Sequence, residues 1–245
     1  MNRMEQKVNV LDFQVDILTL DLLNKTIDDY CKDEQMRAIL FLSVPIIEEA
    51  MDSPDYRRMV AGFQMLLPGE EEILFRESEE LLERKDVVIN ESCMEGLLRG
   101  LEKSRRSVYL VGDELEKTEL FLHYCEEQCP TLQLVGTFVT DENMDDEKLL
   151  NDINTNCPDV ILTAIAPQLQ ENWIMENADK LNGKVCIGAD ILIQKVVEQY
   201  LMYLEKEVHT RVYNNLIKIK KNLMKNIHKR IFCMEYEQYM KQNKD

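Results

Sequence analysis

Pro158-Asp159-Val160-Ile161-Leu162-Thr163-Ala164-Ile165-Ala166-Pro167 runs directly into Gln168-Leu169-Gln170-Glu171-Asn172-Trp173-Ile174. The run from Val160 to Ile165 is apolar at nearly every position. It is bounded by prolines, and the residue before each proline is pushed out of the α region. A short strand that is apolar on both faces belongs to a parallel sheet covered by helices on two sides. Helical periodicity resumes at Leu169, so the pair reads as one strand-to-helix step of an α/β fold.

The same alternation recurs along the chain. Further strands are expected at Val8 to Val15, Ala38 to Val44, Val87 to Asn90, Ser107 to Val111, Leu132 to Val135 and Lys184 to Ile187. Helical patterns fall between them, at Leu20 to Cys31, Asp55 to Ala61, Glu71 to Leu82, Cys93 to Lys103, Glu114 to Gln128, Asp145 to Asn154 and Leu169 to Leu181. Crossovers of a dozen or more residues between such strands build βαβ units. The expected fold is a doubly wound, mostly parallel, Rossmann-like sheet flanked by helices. Ser53-Pro54-Asp55 supplies a helix start, with Ser53 as cap and Pro54 in the first turn.

After Ile187-Gly188-Ala189 the character changes. From Asp190 to Met240 there is no glycine or proline, and Val208, Val212, Leu216, Ile219, Leu223 and Ile227 form a stripe at helical spacing. We therefore expect an α/β domain over 1–189 and a basic amphipathic helical appendage over 190–245. Charge supports the division. Lys195 to Asp245 holds 11 basic and 6 acidic residues, net +5, against 18 basic and 40 acidic before it, within an overall charge of −17. Two readings of the appendage stay open: it lies on an anionic membrane surface, or it packs on the acidic body.

At 245 residues and 45% apolar content the chain has enough material for a packed core. Its net negative charge has the wrong sign for a general nucleic-acid binder. No run reaches the roughly 20 apolar residues of a membrane span, and the N-terminus has no signal-peptide pattern. Seven cysteines without framework spacing read as reduced thiols in the cytoplasm. His123, Cys125 and Cys129 lack the second ligand pair that structural zinc needs, so neither metal nor cofactor is expected. The pattern leaves a homo-oligomer open.

Ligands of open α/β sheets bind beyond the C-terminal ends of the strands. Gly112 after Val108-Tyr109-Leu110-Val111, the Ala166 to Trp173 junction, and Leu66-Leu67-Pro68-Gly69-Glu70-Glu71-Glu72 are the segments in that position.

In their order these segments resemble the WecG/TagA/CpsF family of glycosyltransferases, which pass an N-acetylhexosamine from UDP to a polyprenyl-diphosphate-linked sugar. Val15-Asp16-Ile17-Leu18-Thr19 resembles the family's opening strand, and Asp52 to Arg58 its acidic-Tyr-Arg helix. Val108 to Gly112 resembles Phe-Leu-Leu-Gly-Gly, and Pro130 to Gly136 resembles Pro-x-Leu-x-Ile-Val-Gly. Pro158 to Ile174 resembles Pro-Asp-(apolar)-Gly-x-Pro-Lys-Gln-Glu-x-Trp-Ile. The resemblance spans about Val8 to Ala189. It implies a UDP-sugar donor bound by Gly112, Gly136, Pro167, Gln170 and Glu171, and a lipid-linked acceptor. It also implies an appendage meeting the diphosphate or the membrane, for which Arg211, Lys218, Lys221 and Arg230 are the candidates. A peripheral position on the inner face of the membrane follows.

The chain departs from the family at the chemistry. Leu42-Ser43-Val44-Pro45 stands where the family has Thr-x-Asn-Pro, and Pro68-Gly69-Glu70 stands for Pro-Asp-Gly. The missing aspartate is the family's general base, and loss of such a base costs about 100- to 10,000-fold in rate. Glu70, Glu71 and Glu72 are the nearest replacements. Gln168 or Leu169 takes the place of the family's lysine, and Gly136-Thr137-Phe138 is what remains of a His-Gly-Tyr-Phe stretch. The expectation is a divergent glycosyltransferase, the alternative a catalytically inactive relative that binds or regulates an active one.

Overall fold

The computed structural model describes residues 6–74, 92–140 and 146–206. Two strands, β1 (Gln6–Val10) and β2 (Phe13–Ile17), form an antiparallel hairpin. The strand expected over Val8 to Val15 is thus two strands. Leu11 and Asp12 both have positive φ, 48° and 71°, which reverses the chain in two residues. Thr19 then caps α1 (Leu20–Tyr30) by accepting the Leu22 N–H.

The main sheet has six strands: β3 (Arg37–Leu42), β4 (Met65–Pro68), β5 (Ser107–Gly112), β6 (Gln133–Val139), β7 (Val160–Ala164) and β8 (Val185–Gly188). Their order is β4-β3-β8-β7-β5-β6, and every neighbouring pair is parallel. This is the doubly wound α/β fold expected. The helices are α2 (Val44–Asp52), α3 (Pro54–Val60), α4 (Cys93–Lys103), α5 (Leu115–Gln128), α6 (Asp146–Asn156), α7 (Leu169–Asn177) and α8, which covers 190–206.

Two features escape the sequence pattern. Helix α2 starts at Val44, where a strand end was expected, because Pro45 in its first turn tolerates a helix start. Strand β4 lies where no strand is expected. Its four residues are all buried, and it is too short to show any alternation. The expected strand at Val87 to Asn90 and the helix beyond Leu74 lie outside the described residues.

The strands alternate between two cores. Ile39, Phe41, Val108, Leu110, Leu162 and Ile187 face α1, α4, α5 and the first turns of α8. Leu40, Leu42, Val111, Ile161 and Cys186 face α2, α3, α6, α7 and the hairpin. Both faces are covered, which is why these strands carry no polar alternation.

By compactness the chain divides into Met1–Glu198 and Gln199–Asp245. Of the second unit only 199–206 is described, and it is helical. Among the described residues no helix is long and apolar enough to cross a membrane.

Candidate functional site

Strand order fixes where a ligand sits. From β5 the chain moves outward to β6, and from β7 it moves the opposite way to β8. Helix α5 therefore lies on one face and α7 on the other, as their buried residues Phe121 and Trp173 record. The crevice between β5 and β7, where Gly112 pairs with Ala164, is the switch point at which doubly wound sheets bind ligands. The ends of β3, β4 and β8 extend that crevice.

At the β7 end the side chains form a polar network. Thr163 Oγ1 donates to Gln170 Oε1 at 2.8 Å, and Gln170 Nε2 donates to Glu171 Oε1 at 3.1 Å. Glu171 Oε2 accepts from the Tyr56 hydroxyl at 2.7 Å and from the Gln168 N–H at 2.5 Å. Thr163, Gln170, Glu171 and Tyr56 are all buried. A buried carboxylate without a counter-ion is tolerated only when its lone pairs are filled, and three donors fill them here. Burial and the neighbouring carboxylate push the Tyr56 phenol above its ordinary range, so it remains a donor. Gln168 has φ 72°, rare for a residue with a side chain, and its amide reaches Glu49 at 2.9 Å.

Beside this network, Lys117 Nζ bonds Asp113 Oδ1 at 2.9 Å and Asp190 Oδ1 at 3.0 Å. The other oxygen of Asp113 accepts the Ala166 N–H at 2.6 Å. Burial opposes the Lys117 charge, but the two carboxylates outweigh it and raise its pKa. Burial is also the largest influence on Asp190 and raises its carboxyl in spite of the lysine.

The β3 and β4 ends are built differently. Glu70 Oε2 accepts the Val44 N–H at the start of α2 at 2.6 Å. Lys195 Nζ donates to the Gly69 carbonyl at 2.9 Å. A Cβ on Gly69 would lie 2.6 Å from Ile191 Cγ2 and 2.7 Å from the Leu42 carbonyl oxygen. No side chain fits at 69 unless the backbone of β3 moves. Ser43, the N-cap of α2, is buried, and its Oγ has no partner among the described residues.

The expected site residues separate on this map. Glu70 is half-buried at the crevice, while Glu71 and Glu72 are exposed on the short helical turn Glu71–Leu74. Pro167 is half-buried in the β7–α7 turn, and Gln170 and Glu171 lie buried beneath it, spent on internal bonds. Gly112 ends β5, where a Cβ would strike Thr118 Oγ1 of α5 at 2.1 Å. Its small size lets α5 approach the strand. Gly136 pairs with Tyr109 three residues before the end of β6, and a Cβ there would meet the Tyr109 ring at 2.4 Å. That places it about 10 Å below the crevice rim. Thr137 and Phe138 border an open cleft of about 710 Å³ against α6. Arg211, Lys218, Lys221 and Arg230 lie outside the described residues.

The helix start Asp55-Tyr56-Arg57-Arg58 serves the architecture. Tyr56 bonds Glu171, Arg57 bonds the Ala50 carbonyl at 2.8 Å, and Arg58 pairs with Asp55. Sequence reading missed Asp113, Lys117, Asp190 and Lys195. Two of them were accessible to it, since Asp113 directly follows the end of β5 and Asp190 stands two residues beyond the end of β8.

No curated protein matches the chain in sequence. The model of the glycosyl transferase WecG/TagA/CpsF family matches residues 8–198, from the hairpin into α8. With the doubly wound sheet and its strand-end crevice in place, that match settles the kinship: the chain belongs to the WecG/TagA/CpsF family of glycosyl transferases.

Proposed function

We propose that the chain transfers an N-acetylhexosamine from a UDP-sugar to a lipid-linked acceptor at the strand-end crevice, with Glu70 as the base. The observation that carries this reading is the position of Glu70. It is the only one of the three acids after β4 that reaches the crevice, and it is tied to the first N–H of α2. Its second oxygen has no partner among the described residues.

In this reading Glu70 Oε1 takes the proton of the acceptor hydroxyl as its oxygen attacks the anomeric carbon. The bond from that carbon to the β-phosphate oxygen breaks, and UDP leaves with the electron pair. Lys195, beside Gly69, offsets part of the charge of the leaving diphosphate. The turn Ala166–Gln168, shaped by Gln170 and Glu171 from below, and the β5 end at Gly112 form the donor side. Work on a lipid-linked acceptor implies a peripheral position at the inner face of the membrane, with the basic appendage on anionic lipid.

A second reading is favoured by one specific observation. Ile191 and the Leu42 carbonyl occupy the space where a side chain at position 69 would stand. A chain that had given up catalysis while keeping the fold as a partner of an active transferase would show this. Glu70→Gln separates the two. UDP release from UDP-N-acetylglucosamine and UDP-N-acetylmannosamine, with a lipid-linked acceptor, is expected to fall about 100- to 10,000-fold in the folded variant. Equal turnover by wild type and variant removes Glu70 as the base. Absence of turnover in the wild type, with the donor still bound, favours the non-catalytic partner.

A further inference from the structure

We propose that Lys117 is a positioning residue: acting through Asp113, it fixes the turn Ala166–Gln168 in the conformation that a donor meets. The donor part of this statement rests on the function proposed above, and the clamp itself does not.

One ammonium gathers the ends of three adjacent strands, since β8, β7 and β5 are neighbours in the sheet. Asp113 follows β5 and Asp190 follows β8, and Lys117 from α5 bonds both at 2.9 and 3.0 Å. The connection to β7 passes through Asp113, whose oxygens divide the work. Oδ1 accepts from Lys117, and Oδ2 accepts the Ala166 N–H at 2.6 Å. The carboxylate cannot rotate to face water without releasing one of the two.

The turn it holds needs holding. Gln168 is in the left-handed region at φ 72°, which a residue with a Cβ adopts only when its surroundings impose it. On the far side the restraint is Glu171, which accepts the Gln168 N–H at 2.5 Å, and Glu49, which accepts from the Gln168 amide at 2.9 Å. On the near side it is Asp113 on Ala166. Asp113 and Asp190 are themselves brought together by the sheet, and two carboxylates at such range repel unless a cation lies between them. Side-chain exposures of 13% for Lys117, 19% for Asp113 and 11% for Asp190 leave little water to do that screening. Removal of the ammonium drives the carboxylates apart, and Asp113 is the one that can swing outward, taking its acceptor from Ala166.

The test uses the full chain with Lys117→Met and Lys117→Arg, and reads amide hydrogen exchange residue by residue. In Lys117→Met the Ala166 amide is expected to exchange about tenfold faster or more, the loss of roughly one charge-assisted hydrogen bond. Thr137 and Phe138 in β6 serve as internal controls and keep their rates. Lys117→Arg restores protection, because its guanidinium reaches both carboxylates. A general loss of stability would speed all of these amides together. Unchanged exchange at Ala166 in folded Lys117→Met overturns the clamp. If Lys117→Met does not fold, Asp113→Ala takes its place. It removes the acceptor of the Ala166 N–H, and unchanged Ala166 exchange there overturns the proposal equally. Titration with UDP-N-acetylglucosamine then tests the donor part, with an expected affinity loss of about tenfold in Lys117→Met. Fast Ala166 exchange in a protein whose wild type binds no UDP-sugar keeps the clamp and removes the donor reading.

Discussion

The two ends of the crevice have been treated in opposite ways. At the β7 end, four buried polar side chains are fully engaged with one another and the strained turn above them is preserved. At the β4 end, the residue below the crevice is a glycine with Ile191 and the Leu42 carbonyl packed into the space beside it, and the nearest carboxylate is one position later. Half-satisfied polar networks are worse than apolar cores, so a network like that around Glu171 is retained whole or lost whole. A lone catalytic carboxylate has no such ties and disappears without disturbing its neighbours. The β7–α7 turn is thus coupled to the fold through its buried network, while a carboxylate at position 69 is separable from it.

Each end can be broken independently. The largest effect is expected at the β4 end, from the Glu70→Gln exchange already described. Next is Gly69→Asp, which puts an aspartate at the family's base position. The backbone contact with Leu42 means that it should not raise turnover. Overpacking of this kind costs about 1–3 kcal/mol, read as a fall in melting temperature of about 2–4 °C per kcal/mol for a chain of this size. Gly69→Asp with Ile191→Ala removes the side-chain clash only and should recover part of the stability. Recovery of turnover in that pair would show that the end is not closed by backbone.

At the β7 end, Tyr56→Phe removes one donor from a buried carboxylate. The expected loss is about 1–3 kcal/mol by denaturant titration, with a larger loss if Gln170→Ala is combined with it. Additive losses would show that the residues do not act as a network.

Alkaline pH sharpens the contrast with the opposite core, where thiols pack against α4 and α5. Burial pushes the Cys31 thiol up to about 11 and those of Cys93 and Cys125 up to about 12, from an ordinary 9.0. Their folded values exceed their unfolded ones. Stability is therefore full below pH 9 and is lost as pH rises from there toward 12, because the unfolded chain gives up these protons first. A melting temperature that stays flat from pH 9 to 11 would contradict this. The smallest effect is chemical: of the six described cysteines only Cys157 is exposed, and it alone among them should alkylate quickly in the native protein.

The sheet was legible because its strands are apolar on both faces, and Val160 to Ile165 and Ser107 to Val111 show that directly. The hairpin was not, because Leu11-Asp12 carries no glycine or asparagine to mark a two-residue turn, and its positive φ values belong to the folded chain alone. Strand β4 was hidden by its length. At the site, Pro167, Gln170 and Glu171 were found through a motif, but the motif does not say that Gln170 and Glu171 face inward. Lys117 was invisible because its meaning depends on Asp190, 73 positions away. Contacts between distant strand ends belong to the topology, and no spacing rule reports them.

The central claim is that this crevice still receives a nucleotide-sugar. Trp173, the one tryptophan, is buried two positions beyond Glu171 and reports on the donor turn. Its fluorescence would be followed while UDP-N-acetylglucosamine and UDP-N-acetylmannosamine are added to the wild-type chain, with melting temperature measured in parallel. The account predicts a saturable change for at least one of them and a matching rise in melting temperature. A folded protein that responds to neither, in fluorescence or in stability, would contradict it.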